Sequence, residues 1–135
     1  QLLDLDVQGN NLNGTLPTEL GQLSSLWTLN FQENSFSGSI PTELGQLTQL
    51  FDLFVKGNNL NGTLPTELGQ LSTLENLNFQ ENSFSGSIPT ELARLTQLFE
   101  LSLNMNHLNG TLPTELGRMR SLWSLSLERN SFSGN

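Results

Sequence analysis

The chain has 135 residues, with 13 acidic and 5 basic side chains, a formal net charge of −8 and no cysteine. This balance argues against nonspecific nucleic-acid binding, because phosphate contacts need clustered lysine and arginine. No apolar run approaches the roughly 18 residues of a membrane-spanning helix, and no signal-peptide pattern stands at the N-terminus. Disulfides are excluded, so the cysteine content does not indicate a redox compartment.

A period of 24 residues runs through the chain without insertion or deletion. Residues 10–24 recur unaltered at 58–72, and a related stretch begins midway between them at Asn34. Each unit begins LxxLxLxxN. Because every unit of a stacked array meets units like itself, such copies indicate a solenoid.

The first unit predicts a short strand. Apolar and polar residues alternate, so Leu5 and Val7 point inward while Asp4, Asp6 and Gln8 point outward. Stacked in parallel, the six strands would form one sheet.

The second half of each unit predicts a short helix. Pro17 stands where a first helical turn tolerates proline, Glu19 complements the exposed N–H groups, and Gly21 follows soon after. The helix is therefore one or two turns long, quite compatible with a 3₁₀ form. Leu20 and Leu23 would return to the core.

After the asparagine the units alternate between NxLNGTLPTELGxL and NSFSGSIPTELxxL. The sequence here resembles the plant-type class of the leucine-rich repeat family, LxxLxLxxNxLSGxIPxxLGxLxx, and residues 37–47 and 85–92 match every fixed position. The resemblance covers a single array over 1–135, with five full repeats from 2 to 121 and a truncated sixth at 122–135. It implies an α/β solenoid: a right-handed superhelix with a parallel β-sheet on its concave face and short helical or 3₁₀ turns on its convex face.

The array has no recognisable caps, and it lacks the cysteine-bearing caps that usually flank plant-type arrays. We expect an excised segment, a lineage with other caps, or an idealised array. Repeat edges at Leu2 and near Phe132 make end-to-end self-association an expected hazard. An extracellular location is favoured by the resemblance alone.

The asparagine column is predicted to be structural, because a buried amide can satisfy backbone groups where each strand ends. Its members are Asn10, Asn34, Asn58, Asn82, Asn106 and Asn130.

Catalysis has little support in the sequence. His107 is the one histidine, and neither cysteine nor tyrosine is present, so we expect no enzyme, no cofactor and no metal. A column of glutamates could form a cation-binding stripe, but each also stands at a helix start that favours an acid. These are Glu19, Glu43, Glu67, Glu91 and Glu115.

The candidate binding residues lie in and just before the strands, where most differences between near-identical units collect. The column after the first leucine reads Leu3, Trp27, Phe51, Glu75, Phe99 and Trp123, with Phe54 beside it. Acidic residues border it: Asp4, Asp6, Asp52, Glu33, Glu81 and Glu100. The column is either a contact surface with aromatic anchors or packing folded over neighbouring repeats.

A second ladder repeats N-G-T and S-G-S triplets, which we expect to form turns. The three N-G-T triplets are N-glycosylation sequons, with acceptors at Asn13, Asn61 and Asn109. The flat ladder of small polar residues is also similar to the ice-binding faces of some solenoid proteins.

These observations predict a non-enzymatic scaffold that binds a protein or peptide through the sheet, similar to the repeats of receptor ectodomains or secreted inhibitors. The rival hypothesis is a structural or idealised array that self-associates end to end. Ice or surface binding through the second ladder is a third hypothesis.

Overall fold

A computed structural model of the chain describes residues 1–134. Each repeat contributes one strand to a first sheet, one strand to a second sheet and, in the first five repeats, a 3₁₀ helix between them and the next repeat. All strand pairs in both sheets are parallel, and neighbours come from successive repeats. The predicted solenoid of stacked strands and short helices is confirmed.

The first sheet, sheet A, has six strands in chain order. They are β1 (Asp4–Asp6), β3 (Thr28–Asn30), β5 (Asp52–Phe54), β7 (Asn76–Asn78), β9 (Glu100–Ser102) and β11 (Ser124–Ser126). Leu29 pairs with Leu53 and Leu53 with Leu77, so each residue faces the one a full repeat later. The middle residue of each inner strand is fully buried and its two neighbours face outward, as the alternation of period two predicts.

The N-G-T and S-G-S triplets form a second sheet, sheet B, so the expectation that they are turns was wrong. Its strands are β2 (Asn13–Thr15), β4 (Ser35–Gly38), β6 (Asn59–Thr63), β8 (Ser83–Gly86), β10 (His107–Gly110) and β12 (Ser131–Phe132). Backbone pairing with the neighbouring repeats stabilises these segments as strands despite their turn-forming composition.

Sheet B is staggered relative to the repeat. Asn61 pairs with Ser83, an interval of 83 − 61 = 22 residues, where sheet A pairs at 24. The stagger sets Gly62 directly beside the bulky Phe84 of the next repeat. Gly62 also has a φ of +79°, a left-handed conformation that glycine alone adopts without strain. The backbone conformation therefore favours glycine here, whereas a Cβ added at Gly62 would meet only the Cβ of Ser39, at 3.4 Å.

The helices are η1 (Thr18–Gln22), η2 (Thr42–Gln46), η3 (Thr66–Gln70), η4 (Thr90–Arg94) and η5 (Thr114–Arg118). All are 3₁₀, as their length predicts. The proline is not the first helical residue, because Pro17 is extended at ψ 140° and precedes the helix. The prediction at that position was one residue early.

One core cluster fills the space between the sheets and the helices. In the second repeat Phe31 and Phe36 meet edge to face at 5.2 Å between ring centroids, and the fourth repeat repeats this with a stacked pair. The third repeat, between them, places Val55 and Leu60 at the same two positions, fully buried. Large and small layers therefore alternate along the solenoid, which gives the two alternating sequence versions a packing reason.

The asparagine column lies between the sheets. Asn58 donates from Nδ2 to the carbonyls of Phe31 (2.9 Å) and Val55 (3.0 Å), and its Oδ1 accepts from the N–H of Phe36 (3.0 Å). Asn34, Asn82, Asn106 and Asn130 make the same set of bonds one or more repeats away. Asn10 is exposed and donates only within its own turn, to Val7 and Gln8.

The helical side is closely packed except at one step. A Cβ added at Gly45 or Gly69 would lie 2.6 or 2.5 Å from the carbonyl oxygen of a glutamate in the next helix. The fourth repeat nevertheless carries Ala93 there, and η4 packs less closely on η5 than the other helices pack on one another. A groove opens between them, lined by Ala93, Arg94 and Arg118 together with two glutamates.

Candidate binding site on the first sheet

The leading column of sheet A is held at strand spacing by its own backbone. The N–H of Phe51 donates to the carbonyl of Trp27 (2.8 Å), Glu75 to Phe51 (2.8 Å) and Phe99 to Glu75 (2.7 Å). Trp123 continues the series by donating to Phe99 (2.8 Å). Successive side chains in this column are therefore one strand apart, about 4.8 Å. We call Trp27, Phe51, Glu75, Phe99 and Trp123 the aromatic face.

The aromatics of this face form two pairs and not one continuous row. Trp27 and Phe51 meet edge to face with centroids 6.2 Å apart, and Phe99 stacks on Trp123 at 5.9 Å. Glu75 stands between the pairs and is exposed. Trp27 is 45% exposed, Phe99 50% and Trp123 82%. Each pair thus combines packing within the pair with apolar surface left open to solvent.

The acidic residues surround this face at different depths. Asp4 and Asp6 are exposed on β1, where Asp6 accepts from the N–H of Gln8 at 3.0 Å. Asp52 is half-buried on β5, directly after Phe51. Glu33 is exposed at the far end of its strand, with a φ of +54° and its carboxylate against Gly57. Asp52 therefore lies beside the aromatic face, whereas Glu33 lies across the sheet from it.

Phe54 is also set apart from the leading column. It ends β5, half-buried, between Asn30 and Asn78 of the neighbouring strands. The third repeat consequently presents two aromatic rings to the outward side of sheet A, Phe51 at the strand's start and Phe54 at its end.

Two of the carboxylates on sheet A accept hydrogen bonds from neighbouring side chains. Asp52 accepts from Asn76 Nδ2 at 2.7 Å and from Thr28 Oγ1 at 3.5 Å. Glu100 accepts from Ser102 Oγ at 3.3 Å. Within residues 1–134 the Glu75 carboxylate accepts no hydrogen bond. It is thus the acid of this face that is free to receive a donor from a ligand.

The fifth repeat carries smaller side chains on the outward side of sheet A than the third repeat does. Ser102 and Asn104 occupy outward positions and are buried, where the third repeat has Phe54 and Lys56. The Oδ1 of Asn104 has no hydrogen-bond donor among the described residues. These small side chains leave Phe99 as the most prominent group of its repeat.

Sheet B presents a different surface. Asn13, Asn61 and Asn109, the three sequon acceptors, are all exposed on it. Because of the stagger, Thr63 lies beside Ser85 and Ser85 beside His107, so unlike residues stand next to one another. The small polar residues of sheet B therefore do not line up as rows of identical threonines across the strands.

No group of three histidine, cysteine, aspartate or glutamate side chains that could hold a metal ion occurs within residues 1–134. His107 is exposed on β10, away from the aromatic face. The glutamates of the helix starts occupy the first turn of each 3₁₀ helix. None of the helices in the described part of the chain is long and apolar enough to cross a membrane.

The sequence alone identified the aromatic residues of the candidate site and the acidic residues beside them. It did not predict that Glu75 separates the aromatics into two pairs. The signal was present, since Glu75 replaces the aromatic residue in its column. The bonds from Asn76 and Thr28 to Asp52 join separate repeats, and only the stacking of the strands reveals them.

The comparisons with known proteins agree on the family. Residues 3–133 match the model of a leucine-rich repeat region. None of the curated proteins matches the chain.

Several solved structures share the architecture. The ectodomain of the Arabidopsis thaliana membrane receptor kinase GASSHO1/SCHENGEN3, in complex with CASPARIAN STRIP INTEGRITY FACTOR 2, is 43% identical with a TM-score of 0.98; the match covers 99% of this chain and 16% of that one. The plant peptide hormone receptor RGFR1, in complex with RGF2, is 34% identical with a TM-score of 0.97, over 98% and 21% of the two chains. A leucine-rich repeat protein of Leptospira interrogans is 36% identical with a TM-score of 0.83, over 99% and 33%.

The chain thus spans between 16% and 33% of the length of these three structures. The match to the family model over nearly the whole chain, together with the repeat pattern and the two parallel sheets, establishes that this chain belongs to the plant-type class of the leucine-rich repeat family.

Proposed function

We propose that this chain is a recognition scaffold without catalytic activity, and that it binds a protein or peptide ligand on the outward side of sheet A. The observation that carries the proposal is the pair of exposed aromatic clusters on the aromatic face, one at Trp27 and one at Trp123. Aromatic anchors of this kind dominate the energetics of protein interfaces.

The rigidity of the face supports the proposal. Every residue of the aromatic face donates its N–H to a backbone carbonyl of the preceding repeat. The backbone is therefore already ordered and loses little conformational entropy when a ligand binds. The solved relatives support it as well, because one is a receptor kinase ectodomain in complex with CASPARIAN STRIP INTEGRITY FACTOR 2 and another is a plant peptide hormone receptor in complex with RGF2.

The test is a capture experiment with matched variants. The chain, a sheet A variant carrying Trp27→Ser, Phe51→Ser and Phe54→Ser, and a sheet B control carrying Asn59→Ser are immobilised and exposed to extract of the source. Asn59 is exposed, and Ser35 and Ser83 occupy the equivalent position in other repeats, so the control should fold normally.

We expect proteins or peptides that the chain and the sheet B control retain and the sheet A variant loses. Circular dichroism must show that all three fold. Equal capture by all three, or loss confined to the sheet B control, would refute binding through sheet A.

A further inference from the structure

We infer that the ligand is an extended peptide segment in which a lysine or arginine stands midway between two apolar residues, in the order apolar, any, basic, any, apolar. It would cross the strands of sheet A along the aromatic face. This inference rests on the proposed function, since it names the chemistry of the ligand for the same surface.

The spacing of the anchors carries the first step. The centre of the Trp27 and Phe51 pair lies one and a half strands from Glu75, and the centre of the Phe99 and Trp123 pair lies one and a half strands beyond it. At about 4.8 Å per strand these steps are about 7 Å each. The two apolar sites are therefore about 14 Å apart.

An extended peptide has the same intervals. Its residues rise about 3.3 Å each, and side chains i, i+2 and i+4 point to one side. They lie at about 0, 7 and 13 Å, which matches the first aromatic pair, Glu75 and the second aromatic pair. Residues i+1 and i+3 point away from the sheet, so their identity is free.

The charges carry the second step. From β1 to the turn after β9, the outward side of sheet A and its turns holds seven acids and one base, Lys56. The acids are Asp4, Asp6, Glu33, Asp52, Glu75, Glu81 and Glu100. Lys56 lies beyond the end of β5, four positions after Asp52, on the side away from the aromatic face.

The free carboxylate decides the position of the basic residue. Asp52 accepts hydrogen bonds on both carboxylate oxygens and Glu100 on one, whereas Glu75 accepts no hydrogen bond within the described residues. A lysine or arginine at i+2 would meet it between the two apolar sites. An acid at i+2 would be repelled by Glu75 and by both neighbouring carboxylates.

A random 12-residue peptide display library, selected on the immobilised chain and depleted on the Trp27→Ser, Phe51→Ser, Phe54→Ser variant, tests this inference. We expect enriched sequences to carry apolar residues four positions apart with lysine or arginine between them. Enriched peptides that require the aromatic face but lack this pattern would overturn the inference and leave the proposed function standing. If no peptide distinguishes the chain from the variant, the inference of a peptide ligand is overturned, and the capture experiment decides the proposed function separately.

A defined peptide then reports on each anchor separately. The chain has two tryptophans, one in each pair, so Trp27→Phe and Trp123→Phe each leave one fluorescent reporter. A peptide with leucine, serine, lysine, serine and leucine at its centre should change the emission of both reporters. Replacing its second leucine with serine should silence one reporter, and an unchanged response of both would contradict the assigned spacing.

Charge reversal tests the middle position. Glu75→Lys should weaken binding of the lysine-centred peptide about two- to fivefold at low salt, the range of exposed ion pairs, and should favour its glutamate-centred counterpart. Glu81→Lys is the matched control, because it makes the same charge change in the same repeat at the far end of the strand. An equal effect of the two substitutions would show a general charge effect and overturn the role of Glu75.

Discussion

Replacement of Asn58 by alanine tests whether the asparagine column holds the two sheets together. In the structure this side chain joins the second and third repeats, since its amide donates to the carbonyls of Phe31 and Val55 and its oxygen accepts from the N–H of Phe36. Asn58 is 8% exposed, so water cannot replace these partners.

The magnitude follows from the groups left behind. Alanine would leave the Phe36 N–H without its acceptor and two carbonyls without the amide donor. An unsatisfied buried group costs about 1–3 kcal/mol, but carbonyl oxygens retain other bonds and the site can relax. We therefore expect a loss of about 3–5 kcal/mol in the free energy of unfolding, at the large end of single substitutions.

Asn10→Ala is the internal control, because Asn10 belongs to the same column but is exposed and donates only to Val7 and Gln8. Its loss should be about 1 kcal/mol or less. Urea denaturation followed by circular dichroism measures both, with tryptophan emission as a second probe of whether the array unfolds in one step. If the two substitutions cost the same, the hydrogen-bond argument fails.

Three further predictions concern the rest of the molecule. Gly69→Ala should destabilise the chain by about 1–3 kcal/mol, because its Cβ would lie 2.5 Å from the Glu91 carbonyl oxygen; urea denaturation that shows no loss would contradict this close packing. Ala93→Gly should let η4 approach η5 and slow amide hydrogen exchange there, and unchanged exchange would mean that Ala93 does not hold the groove open. Expression through a eukaryotic secretory pathway should add a glycan at Asn61, which a glycosidase removes and the Asn61→Gln substitution prevents. Because Asn61 lies on sheet B, the glycan should not weaken ligand binding on sheet A. An unmodified Asn61 would refute the prediction.

The solenoid could be predicted from sequence because its physical causes are periodic. The leucines at positions such as Leu29 and Leu53 recur at one interval, and that interval fixes both the strand and its stacking. The length of the 3₁₀ helices followed from the short distance between proline and glycine.

Sheet B could not be predicted in the same way. Its triplets are made of residues that favour turns, and their strand conformation comes from pairing with the neighbouring repeats at a stagger of 22 residues. Nothing within one repeat encodes this stagger, because it depends on how two repeats meet. The same holds for the groove at Ala93, where one methyl group acts against the next helix.

The sequence predicted which residues belong to the candidate site, but not how their side chains are arranged. The aromatic column was evident from the repeats, but the pairing of Phe99 with Trp123 and the free carboxylate of Glu75 required side-chain positions. The assignments of Asp6 and Glu33 to the same acidic border remain a prediction, because these residues lie at different distances from the aromatic face.

The central claim is that the aromatic face contacts a ligand. Isothermal titration of a ligand recovered by capture, against the chain and against a Trp27→Ala, Phe99→Ala double variant, tests it most directly. The account predicts a loss of affinity of tenfold or more, about 1.4 kcal/mol, with unfolding free energies that stay within about 1 kcal/mol per substitution. Unchanged affinity would place the ligand elsewhere, and a larger loss of stability would show that these aromatics serve packing and not recognition.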